Sequence, residues 1–252
     1  CKDAKAKGYV PLAWPGATLG QAAQISNSAL MNSASSYDQL AKNLADLDSG
    51  KIDLTSTWFK GVADIYVKLR DAGCFPPNAT GVTEAAAYNL FATGKSPILP
   101  IGTFAMTSIV NLNPAMSGKM QLMSMILTDG PAIAEGIMNN TFIISVNKNS
   151  SSRDQKIANA FLSYMVTGPV AQIYANESLQ HVNVLDVEYT KVDLITNSSF
   201  QAKNTMLAPR FLLLNAAVSN LTQEALIQIV GGKSPDDVLP DYSKQIKQRL
   251  AG

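Results

Sequence analysis

A chain of 252 residues with 46% hydrophobic side chains can bury about three-quarters of its unfolded surface, enough for one large domain or two small ones without staples. Twenty Lys plus Arg against nineteen Asp plus Glu leave a net charge of +1, and the scattered basic residues form no phosphate-tracking stripe, which excludes nucleic acid as a partner. The longest apolar runs, such as Phe211 to Leu214, fall far short of the roughly 20 residues a membrane-spanning helix requires.

Cys1 and Cys74 are the only cysteines, and their separation matches no metal spacing and no Cys-x-x-Cys redox motif, so neither a metal nor a cofactor is expected. Three readings of Cys1 stay open: a bacterial lipoprotein's lipid-bearing cysteine, half of a disulfide to Cys74, or a residue at a fragment boundary. A lipid on Cys1 is the one membrane attachment the sequence leaves open. Lys2 to Lys7 reads as a helix end, and Tyr9 to Ala13 as a strand.

In Thr57 to Gly73 the apolar residues Trp58, Val62, Ile65, Tyr66 and Leu69 recur at three and four, which predicts an amphipathic helix with Trp58 in the core and Gly73 as its left-handed stop. Pro76-Pro77-Asn78 is a loop. Thr83 to Thr93 repeats the helical design, with Glu84 in the first turn and Gly94 as the stop. Ser96 to Ile101, Met120 to Ile126 and Thr141 to Val146 read as further strands, and Asn147 to Ser151 as a loop. Ser152-Arg-Asp-Gln155 reads as a capping box opening a helix whose buried stripe is Ile157, Ala160, Phe161, Tyr164 and Met165. From Leu207 the pattern is helical apart from Gly231-Gly232, and Ser234-Pro235-Asp236-Asp237 opens the last helix. Strands alternating with helices imply a layered α/β fold with mostly parallel pairing.

Catalytic constellations are scarce. His181 is the single histidine and has no serine or cysteine nucleophile in a recognisable elbow. Neither Gly-x-x-x-x-Gly-Lys-Ser/Thr nor Gly-x-Gly-x-x-Gly occurs, so a nucleotide-phosphate cradle has no support. A paired-carboxylate glycosidase stays open because any two acids can converge in a fold. Six Asn-x-Ser/Thr triplets, from Asn78 to Asn220, fit chance in an Asn/Ser-rich chain.

The informative stretch is Asn89 to Phe104, where a helix ends at Gly94, a buried strand follows, and the small-residue turn Gly102-Thr103 presents Phe104. In open α/β sheets ligands sit beyond the carboxyl ends of strands, so this turn is a natural binding edge. Its backbone can meet hydroxyls, and Phe104 offers a face for a sugar ring.

Phe91-Ala-Thr-Gly-Lys, followed by a hydrophobic strand and Ile101-Gly-Thr-Phe104, resembles the F-x-x-G-K-x-A-M-x-x-x-G-x-W signature of the family 1 extracellular solute-binding proteins, the maltose-binding-protein-like receptors of ABC transporters. In the same order, Lys5 to Ala13 resembles the family's entry into a carboxyl-terminal-lobe strand. Ser152 to Ala175 resembles its A-x-x-F-L-x-F-L helix pair, and Gly232-Lys-Ser-Pro-Asp-Asp-Val-Leu its final helix. Ser96-Pro-Ile-Leu stands where the family has Ala-Met, and Phe104 where it has Trp.

The resemblance implies a type II periplasmic-binding-protein-like fold, represented mainly by the carboxyl-terminal lobe: residues 1–137 as its first part, 138–193 crossing into the amino-terminal lobe, and 194–252 as a helical return. It implies an extracytoplasmic chain that binds a solute, a mono- or oligosaccharide, in a cleft that closes on it, and passes it to ABC-transporter membrane subunits without catalysis. The expected contacts are Trp14, Thr18, Gly102, Thr103 and Phe104, with Trp14 divided evenly between stacking on ligand and packing in the core. Arg210 faces either the cleft or, by preference, a surface ion pair. A surface-lipoprotein or adhesin-like interaction module on the same fold and, below it, a glycoside hydrolase remain the alternatives.

Overall fold

The computed structural model describes residues 1–123, 125–127, 133, 134, 136–138, 144–180, 182, 184, 187, 188 and 205–251. The chain divides into two compact units: Cys1–Gly102, Ser124–Met138 and Ala202–Gly252 form the first, Thr103–Met123 and Asn139–Gln201 the second. Residues 103–123, expected within the continuous piece 1–137, fall in the second unit.

The first unit is built on helices with well-made ends. The Ser36 hydroxyl accepts the Gln39 amide and starts α4 (Tyr37–Asp48), which buries Leu40, Leu44 and Leu47. Ser56 caps α5 (Thr57–Asp71) in the same way, satisfying a backbone donor that the first turn leaves open. From α5 the residues Phe59, Val62, Ala63 and Tyr66 go into the core, whereas Trp58 is half-buried, its indole N–H donating to the Ser33 hydroxyl. Gly73 then adopts φ +69°, the left-handed stop read from the sequence. Thr83 caps α6 (Glu84–Ala92), which stops at Gly94 with φ +71°.

Two carboxyl-terminal helices close this core. Asn215 accepts the amides of Ala217 and Val218 at the start of α10 (Ala216–Val230), which buries Val218, Leu226 and Ile229 and packs against α5. The next helix, α11 (Pro235–Ala251), lies against α10 with Val238, Leu239 and Ile246 buried. The Ser243 hydroxyl of α11 accepts the Leu54 amide at 3.1 Å, so a buried backbone donor is paired where α11 meets the loop after α4. Short helices α1 (Lys2–Ala6), α2 (Leu19–Ala22) and α3 (Gln24–Met31) complete the unit on its amino-terminal side.

Among the described residues sheet structure is sparse, and its pairing is parallel. Tyr9–Ala13 and Ser96–Ile101, expected as full strands, reduce to one parallel bridge, Leu12 to Ile98, flanked by Val10 donating to the Lys95 carbonyl and Ala13 to the Ile98 carbonyl. Pro11, Pro97 and Pro100 explain the reduction, because proline brings no N–H to a ladder. Unexpectedly, β1 (Gly136–Met138) pairs in parallel with β2 (Thr205–Leu207), Ile137 opposite Met206. The described part of Met120–Ile126 forms no strand; of Thr141–Val146, residues 141–143 lie outside the described residues and the rest is irregular.

Cys1 and Cys74 form a disulfide with their Cα atoms 5.0 Å apart, joining positions 73 residues apart in the first unit. This settles the open reading of Cys1: its sulfur is in a disulfide and cannot also carry lipid. The chain carries one covalent staple, whether or not its core requires it.

The second unit contains α7 (Met106–Leu112), α8 (Ser152–Met165) and α9 (Gly168–Ser178). The Thr107 hydroxyl donates to the Ser178 carbonyl at 2.9 Å, and Met106 packs with Met120, Leu122 and Leu179. The cap of α8 is Ser151, one residue before the expected Ser152; it accepts the Asp154 amide at 3.2 Å, while Gln155 donates to the carbonyls of Lys148 and Ser150. The stripe expected to be buried is open: Ile157 is 59%, Phe161 54% and Tyr164 61% exposed, and α8 buries no residue. Helical periodicity identifies an apolar face but does not supply the element that covers it.

Candidate functional site

The loop after Trp14 is held close to its neighbours. A Cβ at Gly16 would fall 2.4 Å from the Ala79 carbonyl oxygen and 2.5 Å from the Trp14 ring, so only glycine fits there. Ala17 donates to the Val82 carbonyl at 3.0 Å and fixes the next residue. Thr18, half-buried, starts α2, and its hydroxyl makes no capping bond.

Trp14 itself is wholly buried. Its indole N–H donates to the Ala22 carbonyl at 3.0 Å, and its ring meets Phe75 at 4.9 Å between centroids. Of its two expected roles the packing one is realised, and as a stacking platform it is corrected: no face of the ring is open to a ligand.

Gly102 ends the first segment of unit one and Thr103 begins the first segment of unit two. Thr103–Ala105 make a single 3₁₀ turn leading into α7, anchored by buried Ala105 and Met106, while Gly102, Thr103 and Phe104 remain partly exposed. The turn thus leaves a glycine, a hydroxyl and an aromatic ring partly exposed. Trp14, Thr18 and Gly102 belong to the first unit, Thr103 and Phe104 to the second.

Arg210 differs from its expectation. It lies in the 3₁₀ turn Pro209–Leu212 of unit one, its backbone amide donating to Asn27 Oδ1 and its Nη1 to the Gly20 carbonyl, each at 3.2 Å. Its Cζ sits 4.6 Å from the centre of the Phe211 ring. None of the ion pairs among the described residues involves it, so the surface pair favoured from the sequence is not found there. Its Nε is buried without a hydrogen-bond partner, and burial holds its pKa below the usual arginine value. Pro209 before it was visible in the sequence, but nothing there signalled the absence of a carboxylate.

The carboxylates with resolved shifts do not resemble a general acid. Lys42 beside Asp46, and Lys247 with Thr55 beside Asp53, hold those groups below the ordinary carboxylate range, whereas a proton donor at neutral pH needs the opposite shift. Among the described residues no group of three or more His, Cys, Asp and Glu is placed to hold a metal. His181 lies outside the described residues. An open groove of about 570 Å³ between Asp53 and α11 contains none of the expected contact residues.

Solved structures with this arrangement decide the fold. A chitin oligosaccharide binding protein matches 98% of the chain at 15% identity with a TM-score of 0.68. A "probable secreted solute-binding lipoprotein" from Streptomyces coelicolor matches 95% at 20% identity with a TM-score of 0.70. The fold is the periplasmic-binding-protein type II-like one. RafE, a solute-binding protein solved in complex with raffinose, shares it over 96% of the chain at 17% identity, with a TM-score of 0.68. The chain spans 60–62% of the length of these three structures. Neither a protein-family model nor a curated protein matches the sequence.

Proposed function

We propose that the chain is an extracytoplasmic solute-binding protein that takes up a carbohydrate and delivers it to the membrane subunits of an ABC importer, with no chemistry performed on the ligand. The observation that carries this reading is its fold, shared along nearly the whole chain with receptors for chitin oligosaccharide and raffinose. Two local features support it. The Cys1–Cys74 disulfide fits an oxidising compartment outside the cytoplasm. The turn Gly102-Thr103-Phe104 offers a backbone, a hydroxyl and a ring face, the mixture that orients a sugar. Thr18 is the further contact proposed in unit one, and Trp14 leaves the set.

Thermal unfolding in the presence of raffinose, chitin oligosaccharides and a wider sugar panel tests this. A ligand that binds only the folded chain at a hundred times its dissociation constant adds about 2.7 kcal/mol, a rise in Tm of about 5–10 °C at this size. Phe104→Ala should remove most of that rise while leaving the ligand-free Tm nearly unchanged. A panel in which no sugar moves the transition would sink the proposal.

A further inference from the structure

Arg210 is held as a binding group is held, yet among the described residues it binds almost nothing. Its turn is pinned to buried Asn27 through the backbone, its Nη1 to the Gly20 carbonyl, and its guanidinium lies over Phe211. The first fixes the turn and the other two the side chain's direction, which reduces the entropy lost when it meets a partner. Among the described residues it has no counter-charge. The chain has nineteen acidic residues, and no described one pairs with this cation; its pKa is lowered by desolvation with no neighbouring charge contributing. A cation partly withdrawn from water is costly unless something compensates it.

We propose that the compensating group is the ligand, and that Arg210 receives the carboxylate of an acidic saccharide, a uronic acid or an oligomer containing one. The inference rests on the solute-binding reading and narrows it to a substrate class. Gly20, whose carbonyl holds the guanidinium, lies in α2 two residues after Thr18 at that helix's start, so Arg210 is tied to the segment of the same unit that carries the proposed hydroxyl contact. Seating any ligand over Arg210 strips away more of its water. A neutral hydroxyl pair returns only ordinary hydrogen bonds, whereas a carboxylate accepts the planar guanidinium in two charge-assisted ones. A doubly charged phosphate calls for a second cation, and no neighbouring charge acts on Arg210.

Calorimetric titration of the full chain with galacturonate, glucuronate and their short oligomers, each beside its neutral galactose or glucose counterpart, tests the assignment. The acidic sugar should bind about tenfold to a hundredfold more tightly, with an affinity that falls as salt rises. Arg210→Gln should bring it down to the level of the neutral sugar, and Arg210→Lys should restore part of the difference. Near-ultraviolet circular dichroism checks that both variants are folded. Should Arg210→Gln fail to fold, the wild-type salt dependence and the lysine variant decide. Neutral sugars binding as well as or better than acidic ones would overturn the acidic class while leaving solute binding intact. An acidic preference untouched in a folded Arg210→Gln would overturn the role of Arg210. Binding of no sugar at all removes the parent reading, and this one with it.

Discussion

Helices α5 and α8 carry nearly the same apolar rhythm and meet opposite fates. Phe59, Val62 and Tyr66 of α5 disappear into the core of the first unit against α10. Ile157, Phe161 and Tyr164 of α8 stay more than half exposed in the second. Amphipathic spacing fixes which side of a helix avoids water, and burial is decided by whether another element arrives there. The first unit has such elements in α10 and α11, drawn from the far carboxyl-terminal end of the chain.

The contrast yields graded expectations. Replacing both cysteines with alanine should have the largest effect, about 4 kcal/mol for a closed loop of this size, and calorimetry should place the whole loss in unfolding of the first unit. Phe59→Ala should cost about 3–4 kcal/mol and Phe161→Ala less than about 0.5 kcal/mol. Equal losses in chemical denaturation would show that the exposed stripe is covered in solution. Ser56→Ala should cost about 1 kcal/mol through loss of the α5 cap, read from the urea midpoint. The smallest effect concerns Asp53, whose carboxylate is held below its ordinary pKa by Lys247 and Thr55. A lowered folded-state pKa contributes stability above the unfolded value of about 3.9 and loses it as pH falls through the folded one. Asp53→Asn should therefore destabilise slightly at pH 7 and match the wild type in acid, with the ion pair's share screened by salt.

Helices α5, α6, α8 and α11 were legible because their signals are local, whereas α2, α3, α4 and α7 were not read from the sequence. The spacing of Val62 and Tyr66, Glu84 in the first turn of α6, Pro235 opening α11, and the stops at Gly73 and Gly94 all lie within a few residues of what they determine. The sheet was not, for two reasons. Pro11, Pro97 and Pro100 interrupt the segments that looked most like strands, and β1 and β2 are three residues each, paired across almost seventy positions. The candidate site divides in the same way. A glycine, a hydroxyl and an aromatic at 102–104 could be read as an open turn. The burial of Trp14 depends on Ala22 and Phe75, and the unpaired charge of Arg210 on the absence of a carboxylate beside it among the described residues. Sequence names a residue's chemistry but not its surroundings.

The prolines that shorten the pairing of 9–13 with 96–101 have a further effect. Segments with few main-chain donors cannot easily recruit a strand from another molecule, and these two carry proline within or beside every stretch that could extend. At high local concentration the first unit is thereby guarded against edge-to-edge growth into aggregates, at the cost of a sheet that hardly exists.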